Sequence, residues 1–173
     1  PVNNEILTLR APANPERNAY FGDLHVHTAN SFDAYVFGTV ATPADAYRYA
    51  KGQPLHHPSG YDVQLQSPLD FYAVTDHAEM MGLVKAGADT STTFSRNAVT
   101  EPLHDINDEG NMTRFSLIAR GKAFAKFLPG VIRGSQDGSI DMAEVEKITK
   151  AAWRGAIDAA NEAYIPGSFT TFA

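Results

Sequence analysis

The chain has 173 residues, a length that fits one domain or part of a larger one. With 43% hydrophobic and 20% charged residues it reads as soluble globular protein, and no apolar run nears the ~18 residues of a membrane span. A net charge of −6 argues against nucleic acid, whose phosphates need a basic face, and the lack of cysteine excludes disulfides, thiolate metal sites and a cysteine nucleophile. Any metal must therefore be held by His, Asp or Glu. The start, Pro1-Val2-Asn3-Asn4-Glu5, has neither the basic nor the apolar region of a signal peptide. A processed mature chain would start the same way, so cytoplasmic, periplasmic and secreted locations all stay open.

In chain order, residues 1–18 are Asn- and Pro-rich and read as an entry arm to a domain over 19–173. Tyr20 to His27 predicts a short buried strand, with Leu24 and Val26 on one face and Asp23, His25 and His27 on the other. Thr42-Pro43-Ala44-Asp45 opens a helix: Thr42 caps, Pro43 suits the first turn and Asp45 takes the capping-box position. Gly52 ends it. Residues 53–68, rich in Pro, Gly and His, predict a loop or hairpin insertion. Leu69 to Thr75 predicts a second strand ending at Asp76-His77, with a short helix following through Leu83.

Residues 90–113 lack periodicity and predict a long surface excursion. The sequon Asn111-Met112-Thr113 within it is readily a chance match. Phe115 to Leu128 predicts a helix stopped by Pro129 and Gly130. Asp141 caps a last long helix, with Glu144 three residues on. There Val145, Ile148, Ala152, Ala156 and Ala159 form one apolar face up to about Ala163. Pro166-Gly167 breaks it, and Phe169 to Ala173 predicts another strand. Strands alternating with helices indicate an α/β fold with parallel strands, which gather ligands at their carboxyl ends.

The candidate chemistry collects at those ends. Residues two apart in a strand point the same way, so His25 and His27 can chelate one metal or two adjacent ones. A lone His-x-His also occurs as two satisfied polar groups. Asp23 shares their face and could orient a ligand histidine. Asp33 lies beyond the turn-like Thr28-Ala29-Asn30-Ser31 and can fold back over the strand end. His77 ends the next strand, roughly 4.8 Å away in a parallel sheet, and can reach the same site. Asp76 serves either as a second supporting carboxylate or as a helix cap. His56 and His57 read as solvated loop histidines or as a substrate loop. His104 reads as incidental, and Lys122 and Lys126 as the wet face of a helix.

Gly22-Asp23-Leu24-His25-Val26-His27-Thr28, then Ser31 and Asp33, then Ala73-Val74-Thr75-Asp76-His77 resemble the first two motifs of the PHP (polymerase and histidinol phosphatase) superfamily. The longer wording around them resembles a bacterial branch known mainly as a domain of unknown function. The likeness runs from Tyr20 onward and is concentrated in residues 20–83. It implies a distorted (β/α)7 TIM-like barrel, incomplete on this chain, with two or three divalent ions (Zn, Mn or Fe) at its carboxyl end. His25 and His27 match the opening ligand pair, Asp33 the ligand after it and His77 the ligand of the second motif. The family's later glutamate, two histidines and closing Asp-x-His have no counterpart before Ala173. The expectation is that a further part of the polypeptide, or another chain, completes the barrel.

Two classes of function follow. One is a metal-dependent hydrolase of small phosphoesters acting through metal-bound hydroxide, with amidohydrolase-like or other ester hydrolysis as the related alternative. The other is a non-catalytic, metal-stabilised binding module. Neither a Ser-His-Asp motif nor a Gly-rich phosphate loop is apparent.

Overall fold

The computed structural model describes residues 18–107 and 116–172, so the entry arm and the Asn111 sequon lie outside the described residues. Its elements are β1 (Gly22–Asp23), α1 (Phe32–Val36), α2 (Pro43–Ala50), β2 (Leu55–His57), β3 (Tyr61–Val63), β4 (Phe71–Ala73), α3 (Leu83–Ala88), α4 (Ser116–Asp137), α5 (Met142–Ala163) and β5 (Thr170–Phe172). Two 3-10 turns, Phe94–Arg96 and Ala98–Leu103, stand between α3 and α4. The fold is mixed α/β. β4 pairs in parallel with β1 on one side and β5 on the other, with Tyr72 opposite both Asp23 and Thr171. No barrel closes among the described residues. None of their helices is long and apolar enough to cross a membrane.

The helix bounded by Thr42 forms as its signals dictate. The Thr42 hydroxyl accepts the Asp45 amide, and the Asp45 carboxylate accepts the Thr42 amide in return. Asp45 also pairs with Arg48. Residues 55–63 form an antiparallel hairpin, β2–β3, within the expected insertion. At α5 the Asp141 carboxylate accepts the Ala143 amide, and the helix runs to Ala163. Its Ala159, Ala160 and Ala163 pack with Ala46, Tyr47 and Ala50 of α2, Tyr72 of β4 and Phe169 in one apolar cluster. Small helix residues let α2 and α5 lie close to the sheet.

Four expectations need correction. The strand at Tyr20–His27 is regular only at Gly22–Asp23; beyond it the Thr75 hydroxyl takes the Val26 amide, a bond the regular ladder would make with backbone. The helix placed before Leu83 begins there instead. Gly82 stands at its start with φ +74, and a Cβ on it would meet that of Ala152 at 2.8 Å.

Pro129 does not stop the helix that precedes it, because α4 runs through it to Asp137. The stretch is closely packed: Gly130 brings the α4 backbone onto Val99, and Gly134 brings it onto Ile140. The unpatterned stretch after residue 90 is no mere surface excursion. Phe94, Thr100, Leu103 and Ile106 are buried, and three of them join Val36, Leu83, Val84, Phe127 and Ile140 in a second cluster. Irregular turns bury residues without a fixed period, which hid this core from periodicity.

Candidate metal centre

The ends of β1 and β4 are laced together. The Thr75 amide donates to Val26 O at 2.7 Å, and the Val26 amide donates to Thr75 Oγ1 at 2.9 Å. Asp76 accepts the Thr28 amide at 2.5 Å and the Thr28 hydroxyl at 2.7 Å. Thr28 is buried, so this carboxylate fixes where the chain turns after His27. Asp23 accepts the His25 amide at 2.9 Å and so shapes the backbone beside that histidine. Both carboxylates thus act on backbone next to the histidines.

The turn after Thr28 delivers three consecutive residues to the site. Ser31 occupies the N-cap position of α1 yet makes no side-chain cap. Its fully buried hydroxyl lies 3.3 Å from Nδ1 of His27 and accepts the His77 amide at 2.9 Å. The Phe32 ring stacks on that of His77. Asp33 places both carboxylate oxygens 3.1 Å from Nδ1 of His27, and Oδ2 3.3 Å from Nε2 of His77. His27, Asp33 and His77 therefore offer one ligand atom each within 4.8 Å of one another. This group could hold a metal ion. His25 is exposed and sits beside it, with its ring stacked on that of His27 at 4.9 Å between centroids.

The donor chemistry suits a divalent cation. Two imidazoles and a carboxylate form a hard-to-borderline set. Ligation needs the carboxylate ionised. Burial pushes the Asp33 carboxyl up, but the Ala34 amide, the His27 ring and the Ser31 hydroxyl outweigh it and hold the group below the usual carboxylate range.

The remaining histidines lie apart from this group. His56 and His57 sit on β2 and line a half-open cleft with Phe37, Val40 and Asp45. Nδ1 of His56 lies 2.8 Å from Asp62, and His57 stacks on Tyr61. His104 is a clamp within the second cluster's turns: its Nε2 lies 3.0 Å from the Ser95 carbonyl. Lys122 and Lys126 are exposed on α4.

Over residues 14–173 the chain matches the model of a family described as Protein of unknown function (DUF3604). The chain belongs to this family. Comparison with curated proteins and with solved structures gave no match.

Sequence reasoning missed the roles of several residues in this DUF3604 chain. Ser31 stood in the motif, but its short polar side chain signalled only a turn. Tyr47 was an anonymous member of an amphipathic helix. Its hydroxyl donates to Phe172 O at 2.8 Å and accepts the Val74 amide at 3.3 Å, joining β4 to β5 just before the site. Arg120 is buried and donates to Val36 O at 3.0 Å and to Asn107 Oδ1 at 2.6 Å, tying α4 to the end of α1. Each of these contacts spans 13 to 125 residues, so local pattern carries no trace of it.

Proposed function

We propose that this chain carries part of a metal-dependent hydrolase centre acting on small phosphoesters. The observation that carries the reading is the convergence of His27, Asp33 and His77, from three separate stretches of chain, at the carboxyl end of parallel strands. His25 completes the ligand set from the exposed side. Divalent ions of the Zn, Mn or Fe type, two or three in number, would lower the pKa of a water and offset charge growing on phosphoryl oxygens.

The chain's own residues do the positioning. Asp33 holds both rings edge-on at one point. Ser31 fixes the His77 backbone, and Asp76 fixes the turn that follows His27. The proposed frame is a TIM-like barrel of the PHP type. The motif resemblance and the three parallel strands support it.

The test uses the full-length protein loaded with Mn or Zn and chromogenic phosphomonoesters and diesters. Turnover should vanish with chelator and return with metal. His27→Ala should lose metal content and activity together, whereas His104→Ala should keep both. Equal metal content in wild type and His27→Ala would sink the ligand assignment. Full metal loading with no turnover of any phosphate, sulfate or carboxylate ester would favour a metal-stabilised binding module.

A further inference from the structure

A row of stacked rings runs from the protein interior to the candidate ligands. Phe127 is fully buried, and Phe124 sits 6.2 Å from it between centroids. Phe32 lies parallel to Phe124, at 5.5 Å and 7°. His77 also stacks on Phe32, at 4.8 Å and 29°. His27 meets the His77 ring edge-on at 4.7 Å. These separations fall in the range of favourable aromatic pairs.

His77 needs such a support. Its backbone is held by Ser31, but its side chain is 40% exposed. An imidazole in that position can turn about two side-chain bonds, and Asp33 holds only one edge of it. A flat ring against its face removes that freedom. Resting on the proposed metal centre, we propose that Phe32 is a positioning residue: packed on Phe124 of α4, it sets the plane of the His77 ring and so the direction of its ligating nitrogen. The second apolar cluster thereby reaches a ligand of the proposed centre through Phe32. Partners that orient a ligand from outside the coordination shell commonly change metal affinity 10- to 100-fold.

The experiment compares wild type, Phe32→Leu, Phe32→Tyr and Phe124→Leu in the full-length protein, using Co(II) as the probe. Leucine keeps the apolar bulk and removes the flat face. Circular dichroism and thermal melting check that each variant is folded. Phe32→Leu should bind Co(II) about tenfold more weakly, by chelator competition. Its visible Co(II) absorption should change shape as the geometry relaxes. Phe32→Tyr should restore both, and Phe124→Leu should show a smaller loss. In metal-free protein, the His77 ring protons should move downfield in Phe32→Leu as ring-current shielding is lost. A folded Phe32→Leu variant with wild-type Co(II) affinity and spectrum overturns the positioning role. A wild-type protein that takes up no Co(II) overturns the metal centre itself, and the inference with it. Wild-type uptake of Co(II) therefore separates the two failures.

Discussion

The two apolar clusters are built differently. Around the sheet, Ala46, Ala50, Ala159, Ala160 and Ala163 present small side chains from two regular helices to Tyr47, Tyr72 and Phe169. Around α3 and α4, large side chains interlock: Leu83 from the short α3, Phe94 and Leu103 from 3-10 turns and Phe127 from the long α4. The first is close packing of regular elements. The second is a patchwork whose order comes from shape. α5 joins them, with Val145 and Ile148 against the second cluster and its terminal alanines in the first. The candidate metal centre draws on both: His27 and His77 follow the sheet strands, while Asp33 sits on α1, whose Val36 belongs to the second cluster. A centre so divided depends on each cluster separately.

The strongest blow to the patchwork is Phe127→Ala. The side chain is fully buried, so its loss should cost ~3–5 kcal/mol, read by urea denaturation. A cost under ~1 kcal/mol would mean that the patchwork refills the hole, and that the contrast with the sheet cluster is false.

Alkali should strike the sheet cluster instead. Burial pushes the Tyr72 phenol up to about 12, with the charges of Asp23, Tyr49 and Tyr47 adding to it, and burial also raises Tyr47. A raised folded value means that the neutral phenol is favoured in the fold. The stabilisation is therefore complete below the unfolded value of about 10 and is lost as pH rises through about 12. Denaturant midpoints measured across that window should fall, and Tyr72→Phe should flatten the fall. An unchanged slope in that variant would remove Tyr72 as the cause.

Tyr47→Phe removes one hydroxyl that bonds both Phe172 and Val74. It should cost roughly 1–3 kcal/mol while leaving the patchwork intact. Amide exchange should quicken at Val74 more than at Leu103; equal acceleration at both would show one cooperative unit rather than two regions.

Smallest is Thr42→Ala, which opens the capping box of α2. It should cost about 1 kcal/mol, measured by the same denaturation. Burial raises Asp45, but Thr42 and Arg48 outweigh it and hold the carboxyl low. Its contribution therefore exists above the unfolded value and disappears as pH falls through the lower folded one. An acid-side stability curve identical in wild type and Thr42→Ala would rule out the box as the source.

Local chemistry determined several elements on the sheet side of this molecule. The Thr42–Asp45 box, the apolar period of α5 and the short apolar run ending in His77 each state their structure within a few residues, because capping and amphipathic burial are short-range rules. The run ending in His27 does not, since only Gly22–Asp23 is regular strand and Tyr20, Phe21 and Leu24 are exposed. His25, His27 and His77 could be named as candidates because ligand-type residues at predicted strand ends stand out; Asp33 came from the turn that folds back over the strand end and from the motif resemblance. Tertiary structure decided the rest. Phe94, Leu103 and Ile106 became core because α3 and α4 pack against their turns. α4 runs on through Pro129, with Gly130 and Gly134 packed closely against Val99 and Ile140. Ser31, read only as part of a turn, holds two histidines from the N-cap position of α1. Each outcome was set by a partner far away in sequence, and a side chain's choice among competing partners is settled only when the chain has brought them together.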